Sequence, residues 1–109
     1  MNDLILKIQQ SADKNILFTM HSAQQCVKQN RMISPNEIHK VIKTCEIIED
    51  YPFDTRGHTC LISGKGNDKR PIHLVCFPTD NFLQIITAYL PEEKKWDDNS
   101  KNREDTWNV

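Results

Sequence analysis

The sequence predicts an α+β domain, with N-terminal helices packed on one face of an antiparallel β-sheet. Three observations lead there. Residues 34–45 carry the caps and the apolar spacing of a packed helix. After about residue 45 the apolar pattern shifts from helical spacing to short strand-like runs, and clusters of Gly, Pro, Asn and Asp separate those runs. Helices first and strands afterwards is the order of an α+β fold, not of alternating βαβ units.

In chain order, "NDLILKIQQSA" places Leu4, Ile5 and Ile8 at helical spacing and predicts a short helix. "NILFT" (15–19) is a β-rich run of strand length. "SAQQCVKQNRM" (22–32) is made of good helix formers and predicts a second helix. In "SPNEIHKVIKTC" Ser34 is the N-cap, Pro35 the first helical residue and Glu37 the acid of a capping box. Ile38, Val41, Ile42 and Cys45 form its apolar stripe, so a helix is expected over 35–45. "CEIIEDYPF" predicts a strand ended by Pro52, and "HTCLISG" a strand stopped by the turn "GKGNDKRP". "IHLVCF" and "FLQIITAYL" predict a hairpin around "PTDN", completing an antiparallel meander. The stretch 92–109 is a polar tail.

With 109 residues, 38% of them hydrophobic and 27% charged, the chain fits one domain over 1–109. No apolar run approaches the ~20 residues of a membrane-spanning helix, and no basic leader precedes a long apolar stretch. A cytoplasmic location is therefore expected, with Cys26, Cys45, Cys60 and Cys76 as free thiols. The net charge is −1, with the acids gathered in the tail. A long nonspecific nucleic-acid footprint normally brings a basic excess; a small pocket with two or three cations does not need one.

Zinc is the first chemistry to weigh, given four His and four Cys. His58 and Cys60 would share a strand face, while His73 and Cys76 would point oppositely, and there is no CxxC pair. No metal or other cofactor is expected. Strict alternation in the hairpin puts His73, Val75 and Phe77 on one face and Ile72, Leu74 and Cys76 on the other. On the next strand it groups Leu83, Ile85, Thr87 and Tyr89. If Ile72 and Leu74 meet the helices, His73 looks out from the uncovered face, with Tyr89 near it across the ladder. A half-buried His bonded to a carbonyl is the ordinary alternative. His21 stands where a strand turns into a helix, a place with free backbone N–H groups. Arg31, Lys65, Lys69, Arg70 and Arg103 are the nearby cations.

The succession "FTMH", "ISPNEI", "IIEDYP", "CLISGKG", "RPIHLVC", "IITAYLPEEKKW" and Arg103 resembles the domain-of-unknown-function 4258 family, from about Phe18 to Arg103. That family is similar to toxin ribonucleases of the RelE and MqsR kind, with a barnase/RelE-like fold. The recurrent polar positions fall on His21, His73, Thr87, Tyr89, Trp96 and Arg103. Where the family carries an Arg four residues after the first His, this chain has Gln25, and the stretch from His21 to "IS" is two residues longer than expected.

The resemblance implies a metal-independent endoribonuclease that cleaves mRNA, the toxin of a type II toxin–antitoxin pair. Its partner would be an antitoxin, with a CxxC zinc-finger type as the candidate. His73 and His21 would be base and acid, Tyr89 would orient the phosphate or share the proton, and Arg103 or Arg31 would stabilise charge. Lys65, Arg70, Thr87 and Trp96 would contact substrate. The rival expectation is a non-catalytic module that binds protein or RNA on the exposed sheet face. A metal-dependent enzyme is a third.

Overall fold

The computed structural model describes residues 3–28 and 31–91. In these, helix α1 (Asp3–Lys14) is followed by strand β1 (Ile16–Phe18), α2 (Met20–Cys26) and α3 (Pro35–Lys43). Strands β2 (Glu46–Asp54), β3 (Gly57–Lys65), β4 (Pro71–Pro78) and β5 (Leu83–Tyr89) complete it. The five strands form one sheet in the order β1-β5-β4-β3-β2. The fold is α+β with helices packed on the sheet. No described helix is long and apolar enough to cross a membrane.

Four details differ from the sequence reading. The sheet is mixed, because β1 lies parallel to β5 with Ile16 opposite Leu83. Helix α2 runs from Met20 to Cys26, not over 22–32: Thr19 caps it, its hydroxyl accepting from Ser22 N–H at 3.0 Å. Helix α3 ends at Lys43, two residues short of the expected 45. Strand β2 runs through Pro52 to Asp54, with a register shift between Tyr51 and Asp54. An edge strand can hold a proline because its outward N–H needs no ladder partner.

The capping box of α3 is half formed. Ser34 Oγ accepts from Glu37 N–H at 3.2 Å, as expected. The Glu37 carboxylate does not reach back to Ser34. It is wholly buried and holds Arg70 with both oxygens, each at 2.6 Å, and the N–H of Asn67 at 2.7 Å. Arg70 thereby holds the carboxyl below its usual pKa, against the opposing effect of burial.

The main core joins Ile8 and Ala12 of α1 and Ile38, Val41 and Ile42 of α3 to Ile62, Ile72, Leu74, Cys76, Leu83, Ile85 and Ala88 of the sheet. Each fully buried Leu or Ile contributes about 1.5–3 kcal/mol. Helix α3 sits so close on β3 that a Cβ at Gly64 would run into the Val41 carbonyl. A smaller cluster of Leu61, Val75, Ile86 and Tyr89 lies on the opposite sheet face.

Strand β5 serves both clusters through a bulge. Cys76 pairs with Ile85, but its neighbour Val75 pairs with Thr87, so Ile86 is one residue too many. Strict alternation fails at this point. Leu83 and Ile85 face the helices before the bulge and Ala88 does so after it, while Tyr89 turns to the side of Val75.

Candidate functional site

The bulge decides what gathers at the end of β5. With the ladder broken there, Ile86 O accepts from the Thr19 hydroxyl at 3.2 Å, and Ile85 O from Thr19 N–H at 3.2 Å. These bonds fasten the start of α2 to β5. His21, the second residue of α2, then stands beside Thr87, with its Nε2 3.3 Å from the Thr87 hydroxyl. His21 is exposed and Thr87 is buried.

The next residue, Ala88, offers its carbonyl to Arg31 Nη1 at 3.2 Å. Arg31 is buried, and the same nitrogen donates to the Gln25 side-chain oxygen and to Gln25 O at 3.4 Å. Gln25 holds the place where an Arg was expected, and here it serves as an acceptor that orients the Arg31 guanidinium. Sequence reasoning named both residues but had no signal that they meet.

One residue further, Tyr89 lies directly across the ladder from His73. The rings meet edge to face, with centroids 5.4 Å apart, and the Tyr89 hydroxyl is 3.4 Å from His73 Nδ1. The expectation that His73 looks out into solvent is wrong: it is 0% exposed, and Tyr89 is 3% exposed. The face without helices is buried here too, since Thr59, Ser63 and Thr87 are also under a tenth exposed. Three successive residues of β5 thus bring together an exposed imidazole, a buried guanidinium and a buried imidazole–phenol pair. A group reaching this place from solvent meets His21 first.

A sequence profile of the domain-of-unknown-function 4258 family matches residues 18–90, two thirds of the chain. The chain belongs to this family. No curated protein and no solved structure matches it. The matched span takes in His21, Arg31, His73, Thr87 and Tyr89, the residues that meet at the end of β5.

The other candidates stand apart from that cluster. Arg70 is engaged by Glu37 and also donates to Met32 O at 3.4 Å. Lys65 is exposed at the end of β3. Trp96 and Arg103 lie outside the described residues. Among the described residues no group of three or more His, Cys, Asp or Glu is arranged to hold a metal ion.

The cysteines are free thiols, all buried. Cys60 and Cys76 pair across β3 and β4 with their sulfurs 3.7 Å apart, and the hydrogen bond to Cys60, then burial, raises the Cys76 pKa well above the ordinary value. Burial pushes Cys45 up to about 11 and raises Cys26 as well. A nucleophilic cysteine needs the thiolate, so Cys26, Cys45 and Cys76 act as core side chains.

Proposed function

We propose that this chain is a metal-independent endoribonuclease that cuts mRNA, acting in the cytoplasm as the toxin of a toxin–antitoxin pair. One observation carries the reading: His21, Arg31 and the His73–Tyr89 pair converge on Thr87, Ala88 and Tyr89. Cleavage by this route needs little more than a proton acceptor, a proton donor and fixed positive charge. His21 takes the ribose 2′-OH proton, the 2′-oxygen attacks the adjacent phosphorus, and the bond to the 5′-oxygen breaks as that oxygen takes a proton from the His21 imidazolium so formed. The products are a cyclic phosphate and a free 5′-hydroxyl.

His21 is the group that exchanges protons with substrate, because it is exposed. Thr87 fixes its ring through the hydroxyl. Tyr89 and His73 stand behind as positioning residues, and Arg31 supplies charge near the developing phosphoryl oxygens. The RelE- and MqsR-like relationship, with an antitoxin of CxxC zinc-finger type as partner, belongs to the same proposal.

Purified protein should cleave a labelled single-stranded RNA in the presence of EDTA, and fail on the same oligonucleotide carrying 2′-deoxyribose. His21→Ala should lower the rate by about 10²–10⁴. Full activity in that variant sinks the assignment. The complete burial of His73 favours a second reading, in which the imidazole is structural and the chain is a non-catalytic module that binds RNA or protein. Intact RNA after long incubation with the native protein, at a concentration where it binds, would select it.

A further inference from the structure

We propose that the turn at residues 65–70, with the last turn of α3, is a built platform for the phosphates of a single-stranded RNA. The choice of RNA rests on the ribonuclease reading above; the platform rests on its own residues. Lys40 and Lys43 leave the C-terminal half of α3, and Lys65 and Lys69 stand on the turn, all four exposed. Contacts in the structure hold these segments together. Lys40 Nζ donates to the Asn67 side-chain oxygen at 2.7 Å, and Lys65 N–H donates to the hydroxyl of Thr44, next to Lys43, at 2.8 Å. The exposed acids in the same segments are Asp68 and Glu46. The hydrogen-bond partner of Lys40 here is a neutral amide, and the Glu37 carboxylate that also feels its charge is already bound by Arg70.

The turn is costly in a way that plain solvation does not require. Asp68 and Lys69 both take left-handed backbone, at φ 55° and 60°. Such conformations persist only where the surroundings over-determine them. Here the surroundings are the buried Glu37 carboxylate, which grips Asn67 N–H and both arms of Arg70, and Gly66, where a Cβ would collide with that carboxylate. Glu37 consumes the charge of Arg70, which leaves the lysines as the outward charges. Basic residues in the last turn of a helix are explained by its dipole, and that covers Lys40 and Lys43. It does not cover Lys65 and Lys69.

The location adds direction. Lys65 pairs with Pro71, Ser63 with His73 and His73 with Tyr89, so the turn and the end of β5 lie at the same end of the sheet. Arg70 bridges the gap by donating to Met32 O, next to Arg31.

The test is fluorescence anisotropy with a short labelled single-stranded RNA over a salt series. It compares Lys40→Glu/Lys69→Glu with Lys7→Glu/Lys14→Glu, an equal charge change at exposed residues of α1. The platform pair should weaken binding by about tenfold or more at low salt. It should also flatten the plot of log K against log salt by about 1.4, or 0.7 per lost phosphate contact. The control pair should change both far less. If the platform pair fails to fold, Lys65→Glu carries the same test at one contact. Equal losses from both pairs overturn the platform, and so does competition by polyglutamate as strong as that by unlabelled RNA, which would indicate an acidic protein partner. Native protein that binds RNA through these lysines but never cleaves it overturns the ribonuclease reading alone. Cleavage by the platform variant at unchanged KM overturns the platform alone.

Discussion

On the helix side, β3 and β4 present Ile62, Leu74 and Cys76, all fully buried, with Ala88 of β5 beside them. One residue along each strand, on the other side, they present Thr59, Ser63, His73 and Val75, also buried. The two faces exclude water about equally, with different chemistry. A face that needed only to bury area would repeat the first pattern, because each buried polar group requires a hydrogen-bond partner or carries a desolvation cost. The second face therefore sets the polar Thr59, Ser63 and His73 among the apolar Leu61, Val75 and Ile86, while the first is apolar throughout and anchors the helices.

The largest effect expected from breaking this contrast is on the helix side. Leu74→Ala should lower stability by about 2–5 kcal/mol, measured by urea unfolding, since it opens a cavity between α1, α3 and the sheet. A loss below 1 kcal/mol would mean that the helices repack, and the apolar face would not be the anchor.

Next is the ion pair near the end of the sheet. Arg70→Ala should cost about 2–3 kcal/mol, less than the 3–5 of a wholly buried pair because solvent reaches Arg70. The pH dependence has a definite sign. The folded pKa of Glu37 is depressed, so its contribution is fully present above the ordinary unfolded value of about 4.3 and is lost as pH falls through the lower folded value. Urea unfolding between pH 7 and pH 3 should show that acid loss in the native protein, and Arg70→Ala should flatten it. An identical slope in both would show that other carboxylates dominate.

The smallest effects sharpen the polar face. His73→Ala should cost about 1–3 kcal/mol by leaving partner groups unsatisfied, and Tyr89→Phe about 0.5–1.5 kcal/mol. His73→Ala with an unchanged melting temperature would mean that the imidazole is not held as described. A loss as large as that of Leu74→Ala would erase the difference between the faces.

What could be read in advance was local. Ser34, Pro35 and the Ile38–Val41–Ile42 stripe announce α3 because a cap and a helical period are contained within a dozen residues. The runs around His73 and Tyr89 announce strands for the same reason. The bulge at Ile86 leaves no mark in "QIITAYL", since any of several residues could be the extra one, so strict alternation wrongly groups Leu83 and Ile85 with Thr87 and Tyr89. The pairing of β1 with β5, the bond from Arg31 to Ala88 O and the diversion of Glu37 from its helix cap to Arg70 all join distant parts of the chain. Spacing along the sequence carries no information about them. His21 and Thr87 were both named as candidates, yet only the fastening of Thr19 to the bulge explains why they touch.

The placement of β5 has a consequence for how the protein is made. Chains emerge from the ribosome N-terminus first, and early segments wait for later partners. Strand β1 finds its neighbour only when Leu83 is out, and β5 then lies between β1 and β4. His21, Arg31 and His73 all precede β5, and they reach Thr87, Ala88 and Tyr89 in turn. A nascent chain that has not yet reached Thr87 lacks the strand on which these residues gather. Truncation ahead of Thr87 therefore removes the meeting place itself, whatever else of the fold survives it.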